Sequence, residues 1–144
     1  MKDEPDLILL IEDNPDHAEM VMRLVRRTHA AAVIEHVSDG EAALDYLFRR
    51  GSYAVRARYP LPRLILLDLR LPRIDGLEVL KSIKTSEALC RIPVVVLTTS
   101  EAESDIAGAS RLHANSYLVK PMDLDVFASL IETMGNYWLL WNRR

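Results

Sequence analysis

Cysteine is almost missing from this chain, and that scarcity removes several architectures at once. Cys90 is the only one in 144 residues, which excludes an internal disulfide and a cysteine metal cage and fits a reducing compartment. A dominant charge is missing too. Eighteen basic residues stand against 21 acidic ones, a net of -3, so no overall field recruits nucleic acid or an anionic membrane. No apolar run approaches a membrane span, and the opening Met-Lys-Asp-Glu-Pro-Asp carries no apolar signal region. The expected location is the cytoplasm. Internal repeats, low-complexity segments and a linker to a second domain are also lacking, so residues 1–144 read as one domain, long enough to bury its own core.

The residues that are present alternate in kind. Leu7 to Ile11, Leu64 to Leu67 and Val94 to Leu97 are short, continuous apolar runs, as expected of parallel strands buried on both faces. Tyr117 to Val119 forms another, and Ala32 to Val37, interrupted by Glu35 and His36, reads as a strand nearer an edge. Helix starts follow each strand. Asn14 can cap the first helix with Pro15 at its first position, and Ser38 with Glu41, Asp75 with Glu78 and Ser100 with Glu103 have capping-box spacing. The last helix can begin near Asp123. Between Arg49 and Arg63 lies an extended loop with five arginines, whose charges read first as a solvated surface rather than an anion site. Alternating βα units with short connections imply right-handed crossovers. The expected fold is therefore α/β, a doubly wound five-stranded parallel sheet of the flavodoxin-like (βα)5 type.

In such a fold the site lies at the carboxyl ends of the strands. There the sequence places Glu12 and Asp13 after the first strand, Asp68 after the third, Thr98 at the end of the fourth and Lys120 after the fifth. Two carboxylates ~4 Å apart repel by roughly 4 kcal/mol at an effective dielectric of 20, so three of them need raised pKa values or a bound cation. An all-oxygen donor set without histidine or thiolate favours a hard ion such as Mg²⁺. Lys120 offers a point charge for an anionic oxygen, and Thr98 a hydroxyl. Either Asp13 or Asp68 alone would be an ordinary helix cap. Carboxylate, hard cation, ammonium and hydroxyl together are the parts of phosphoryl transfer to a carboxylate.

Four motifs carry a resemblance: Leu-Ile-Glu-Asp-Asn, the Leu-Leu-Asp-Leu-Arg-Leu-Pro-Arg-Ile-Asp-Gly block around Asp68, Val-Leu-Thr-Thr-Ser at Thr98, and Tyr-Leu-Val-Lys-Pro at Lys120. Over roughly residues 6–131 the chain closely resembles a CheY-like response-regulator receiver domain. The resemblance implies that Asp68 accepts a phosphoryl group from a sensor histidine kinase. It implies Mg²⁺ as cofactor, held by Asp13, Asp68 and the backbone carbonyl of Arg70, with Glu12 acting through water. Lys120 would contact the phosphoryl group and Thr98 would hydrogen-bond it. Tyr117 resembles the aromatic that turns inward when Thr98 moves, although taken alone it is an ordinary strand aromatic. Lys120-Pro121 resembles the family's cis turn, and Pro72, Asp75 and Gly76 the loop that supports Asp68. The chain would be a signalling phosphoacceptor, not an enzyme beyond its own phosphorylation and dephosphorylation.

Arg70 departs from the smaller polar residue common at its position. Its cation could lie over the phosphoryl group and hinder the attacking water, giving slow self-dephosphorylation, or simply face solvent. After the motifs no output domain is expected. Phe127, Ile131, Met134, Trp138 and Trp141 form a core stripe, and Val126, Leu130, Tyr137 and Leu140 a second apolar face. This excess points to an interface containing Tyr137, Trp138, Leu140 and Trp141, most simply a homodimer through the fourth helix, fifth strand and fifth helix. The alternative is that Gly135-Asn136 ends the helix and the aromatics fold back over the core. The Leu-Asp-Tyr-Leu-Phe-Arg-Arg-Gly run, the long loop and the aromatic tail resemble stand-alone response regulators paired with phytochrome kinases.

Three competing readings fit less well. A haloacid-dehalogenase-like phosphatase also uses an Asp nucleophile with Mg²⁺ and a lysine, but it wants a second Asp where Arg70 stands. An FMN-binding flavodoxin would meet repulsion from Glu12-Asp13, and a DNA-binding regulator lacks a helix-turn-helix or basic segment.

Overall fold

Strand β1 (Leu7–Ile11) lies inside the sheet with both faces covered: its own Ile8, Leu9, Leu10 and Ile11 are all buried. In this computed structural model, which describes residues 6–55 and 60–141, β1 pairs in parallel with β2 (Val33–Val37) on one side and β3 (Leu64–Leu67) on the other. Next come β4 (Val94–Thr98) and β5 (Ser116–Val119), giving one parallel sheet in the order β2-β1-β3-β4-β5. The interrupted strand β2 is at an edge, as its polar residues require. Residues 56–59, with Arg56 and Arg58 of the arginine loop, lie outside the described residues, as do 1–5 and 142–144.

Period-two alternation divides the sheet between two cores. Leu9, Ile11, Ile65, Leu67, Val94 and Val96 face helices α2 (Gly40–Phe48), α3 (Gly76–Lys84) and α4 (Glu103–Arg111). Ile8, Leu10, Leu64, Leu66, Val95 and Leu97 face α1 (Pro15–Thr28) and α5 (Leu124–Gly135). The sheet is therefore doubly wound, and the connections change faces between β1 and β3. Glu12, Asp13 and Asp68 stand at that crevice.

The helix starts follow the sequence at three points and depart from it at two. Asn14 accepts from the amides of Asp16 and His17, Asp75 from Leu77, and Asp123 from Asp125 and Val126. For α2, however, the cap is Asp39, not Ser38: its Oδ1 takes the Ala42 amide at 2.7 Å. Asp and Ser cap equally well, and the residue that meets the third amide of the helix wins. Helix α4 begins after Ala102 with no side-chain cap bond, because the Ser100 hydroxyl is drawn to Asp105 at 2.6 Å. No cis peptide bond occurs among the described residues, so Lys120–Pro121 is trans.

The larger departure is at the C-terminal end. The helix does not stop at Gly135-Asn136; it widens into a π-helix over Asn136–Trp141. An i→i+5 turn advances the buried phase by five residues instead of four, so Met134 is followed into the core by Leu139, 4% exposed. Trp138 is half-buried against the α1 face, and Trp141, expected in the core stripe, is 72% exposed. Trp138 is thus only partly exposed, while Tyr137 and Leu140 remain outward.

Candidate functional site

Backbone pairing sets the height of each site residue. The Glu12 amide bonds to the Val37 carbonyl at 3.1 Å, Asp68 to Ile11 at 3.0 Å, and Lys120 to Thr98 at 2.7 Å. Each is thus the first residue beyond its strand, with its side chain released over the sheet's carboxyl edge. Gly76 lets α3 start against this edge. A Cβ there would stand 2.4 Å from Leu69 Cα and 2.6 Å from the Asp68 carbonyl oxygen, so only glycine permits that approach. Asp75 caps the helix, and the Pro72 carbonyl accepts the Ile74 amide at 2.9 Å.

All five residues expected at the edge are drawn together, Thr98 through its bond to Asp68. The Lys120 ammonium donates to Glu12 Oε1 and, at 3.2 Å, to Asp68 Oδ2. One carboxylate oxygen from each of Glu12, Asp13 and Asp68 lies within 4.8 Å of the others. Glu12 and Asp68 are buried, whereas Asp13 is exposed and gives the cluster a solvent side. Thr98, fully buried, is the fifth; its hydroxyl accepts the Ser100 amide at 3.4 Å.

Charge is distributed unequally between the buried acids. Burial pushes the Glu12 carboxyl up to about 7, against the lowering bond from Lys120. Burial also acts to raise Asp68, but the Lys120 charge, bonds from Glu12 and Thr98, and the Arg70 amide at 3.2 Å together hold it below the ordinary carboxylate range. Of the two buried acids, Asp68 is thus the more readily ionised and Glu12 the more readily protonated. Among the described residues every buried side-chain polar atom has a partner.

The donor set fits a hard divalent ion. It is made of carboxylate oxygens, one of them facing solvent, so an ion could keep several waters as Mg²⁺ prefers. The Arg70 amide on Asp68 fixes the backbone of that residue beside the cluster.

Sequence reasoning missed two residues here. His17 lines a cavity of about 230 Å³ with Met20, Lys120, Pro121 and Phe127, and its Nδ1 lies 3.0 Å from the Lys120 ammonium. Burial, then the Lys120 charge, lowers its pKa, so the neutral ring accepts from the ammonium. Asp105, in the first turn of α4 and 8% exposed, pairs with the Arg70 guanidinium and accepts from Ser100. Arg70 is thus neither a free solvent-facing cation nor bonded through its side chain to Asp68. Tyr117 donates its hydroxyl to the Ser100 carbonyl at 3.0 Å, and burial raises its pKa.

A parallel doubly wound sheet with a buried, ionised aspartate at its switch point, flanked by acids and a lysine, defines a class of signalling domain. The chain belongs to the response regulator receiver domain family, whose model matches residues 8–132. It is 49% identical over 141 residues to the probable methanogenesis regulatory protein FilR2 of Methanothrix harundinacea, covering 98% of this chain and 88% of FilR2. It is 39% identical over 142 residues to the response regulator Rcp1 of Synechocystis, covering 96% and 95%. Among solved structures, the phosphorylated cyanobacterial phytochrome response regulator RcpA matches with a TM-score of 0.91 at 37% identity, over 96% of this chain and 97% of RcpA. The Mn²⁺-bound form of Rcp1 matches with a TM-score of 0.89 at 38% identity, over 96% and 98%. The phosphatase alternative gains nothing from these relatives, and the position where it needs a second acid is filled by Arg70, tied to Asp105. No helix among the described residues is long and apolar enough to cross a membrane.

Proposed function

We propose that this chain is a stand-alone response regulator of a two-component phosphorelay, a single cytoplasmic domain over residues 1–144. Asp68 accepts the phosphoryl group. The observation that carries the reading is the Asp68 carboxylate, held ionised and within 3.2 Å of the Lys120 ammonium at the sheet's switch point. An Asp68 oxygen forms the O–P bond while the N–P bond to the kinase's phosphohistidine breaks, and imidazole leaves. Lys120 meets charge on the transferred phosphoryl oxygens, and Thr98 offers them its hydroxyl. Mg²⁺ held by Asp13, Asp68 and the Arg70 carbonyl, with Glu12 acting through water, would neutralise charge on the same oxygens. The Mn²⁺-bound form of Rcp1 supports a divalent ion here.

Phosphorylation then moves Thr98 toward the new charge, and Tyr117 leaves the Ser100 carbonyl and turns inward. The shift is limited to the differential contacts the phosphoryl group makes in the two states. The altered face comprises α4, β5 and α5 and is the surface for a homodimer, to which Tyr137, Leu140 and Trp141, 51%, 60% and 72% exposed, add apolar area. Light scattering that finds a monomer unchanged by phosphorylation or concentration refutes the dimer.

The partner is a sensor histidine kinase. Likeness to RcpA supports one of phytochrome type, whereas the higher identity to FilR2 supports a second reading, a kinase of a methanogenesis regulatory system. Phosphotransfer from a panel containing both kinds, to wild type and Asp68→Asn, separates them. Labelling from one kinase that disappears in Asp68→Asn is the expected result. The absence of Asp68-dependent labelling by every kinase and by acetyl phosphate rejects the proposal.

A further inference from the structure

Arg70 touches two parts of the molecule that a phosphoryl group would force to compete. Its amide is on Asp68 Oδ1 at 3.2 Å, while its guanidinium pairs with Asp105 and reaches Ser100 Oγ at 3.5 Å. Asp105 is the third residue of α4, and its side chain is only 11% exposed. Its Oδ2 also receives the Ser100 hydroxyl at 2.6 Å, and Ser100 Oγ in turn accepts the Ala102 amide at 3.3 Å. The Ser100 carbonyl holds the Tyr117 hydroxyl. One carboxylate therefore ties the residue beside Asp68, the β4–α4 turn and the aromatic of β5 into one unit.

Helix α4 has little else to hold its start. No side chain caps it, the apolar Ile106 is 40% exposed, and beyond Asp105 it buries only Gly108 and Ala109. Loosening Asp105 would free its first turn at small cost in packing.

We infer that Asp105 is a positioning residue: in the unphosphorylated chain it holds the Arg70 guanidinium, and phosphorylation of Asp68 draws Arg70 away and releases the start of α4. A phosphoryl group brings roughly -1.5 to -2 charges and three acceptor oxygens, and a guanidinium fork binds such oxygens at least as well as a carboxylate. Its departure leaves Asp105 nearly buried with a hydroxyl as its remaining side-chain partner, a condition relieved by turning the carboxylate out to water. The site thus reports its charge to α4 by exchanging one cation between two anions. The inference rests on Asp68 being the phosphoryl acceptor.

Two measurements separate this latch from simple structural support. The first needs no phosphoryl group. Amide hydrogen exchange of Ser100 to Ile106 in Asp105→Asn should be about fivefold faster than in wild type, the factor a well-formed ion pair of this exposure supplies. Arg70→Ala should match it, and the double variant should add nothing further. The second is Asp68 labelling by acetyl phosphate in the same four proteins and in Asp105→Glu. Asp105→Asn should label faster than wild type with Arg70 present, lose that gain in the Arg70→Ala background, and regain wild-type behaviour as Asp105→Glu. Unchanged exchange, or a labelling effect that survives loss of Arg70, overturns the inference. Wild-type protein that takes no label at Asp68 overturns the phosphoacceptor reading and this phosphorylation-driven release together. The exchange comparison alone failing leaves the acceptor reading standing.

Discussion

Replacing Lys120 with methionine keeps most of the aliphatic stem and deletes only the charge that two buried carboxylates share. Lys120 lies 3.2 Å from Asp68 and donates to Glu12, and these three side chains are each less than a tenth exposed. At an effective dielectric of 20, unit charges at that separation attract by roughly 5 kcal/mol, part of which offsets the desolvation of the ammonium. Removing one member of a buried pair typically costs about 3–5 kcal/mol, because the abandoned charges stay buried. The variant escapes part of this cost by protonation. Glu12 is already raised to about 7 in the folded chain, and without the ammonium it rises further. A group with a raised folded pKa adds stability below its unfolded value, here 4.5, and loses it as pH climbs through the folded value. The deficit of Lys120→Met is therefore smallest near pH 5 and largest near pH 8. Urea denaturation followed by circular dichroism in EDTA reads it directly. With a slope of about 2 kcal/mol/M, the midpoint should fall by about 2 M at pH 8 and by much less at pH 5, and Mg²⁺ should narrow the gap. A midpoint equal to wild type at pH 8, or a deficit independent of pH, would refute the assignment of Lys120 as the counter-charge of this pair.

The raised Glu12 also makes metal binding release a proton: Mg²⁺ affinity should climb between pH 5 and 8 and the slope should flatten in Glu12→Gln, as calorimetry in buffers of different ionisation enthalpy can measure. Gly76→Ala forces a Cβ into backbone on two sides; thermal denaturation should show a loss of about 1–3 kcal/mol despite alanine's better helix propensity, with weaker Mg²⁺ binding. Leu139→Ala should lose about 2–5 kcal/mol and Trp141→Ala less than about 0.5 kcal/mol, whereas a regular α-helical continuation reverses that order.

The sheet and its acidic edge were legible because parallel strands buried on both faces need unbroken apolar runs, and the polar residues ending them mark one edge. Leu64–Leu67 followed by Asp68 is the clearest case. Pairings across the fold were not legible. Arg70 and Asp105 are 35 residues apart and His17 and Lys120 are 103 apart, and neither pair belongs to a periodic pattern. An acid in the first turn of α4 reads as favourable to the helix dipole wherever its side chain goes. The Ser38 and Ser100 caps failed for the same reason, since the amide a hydroxyl meets depends on what else competes for it.

The end of α5 shows where composition and phase part company. Phe127, Ile131 and Met134 enter the core as the spacing requires. The next residue at helical spacing is Trp138, and nothing in the sequence marks a change of pitch. The change accompanies a contact made from across the fold. His29, at the end of α1, lies so close that a Cβ on Gly135 would stand 2.3 Å from its ring, and its Nε2 meets Asn136 Oδ1 at 2.9 Å. Gly135 is thus not a helix stop but the space that admits the imidazole, and Asn136 is the side chain that grips it. A wider turn at this point lets the helix carry Leu139, rather than the bulkier Trp138, to the core, and turns Tyr137, Leu140 and Trp141 outward. The apolar residues available for an outer surface could be listed from the sequence; which of them reach it depends on a histidine more than a hundred residues away.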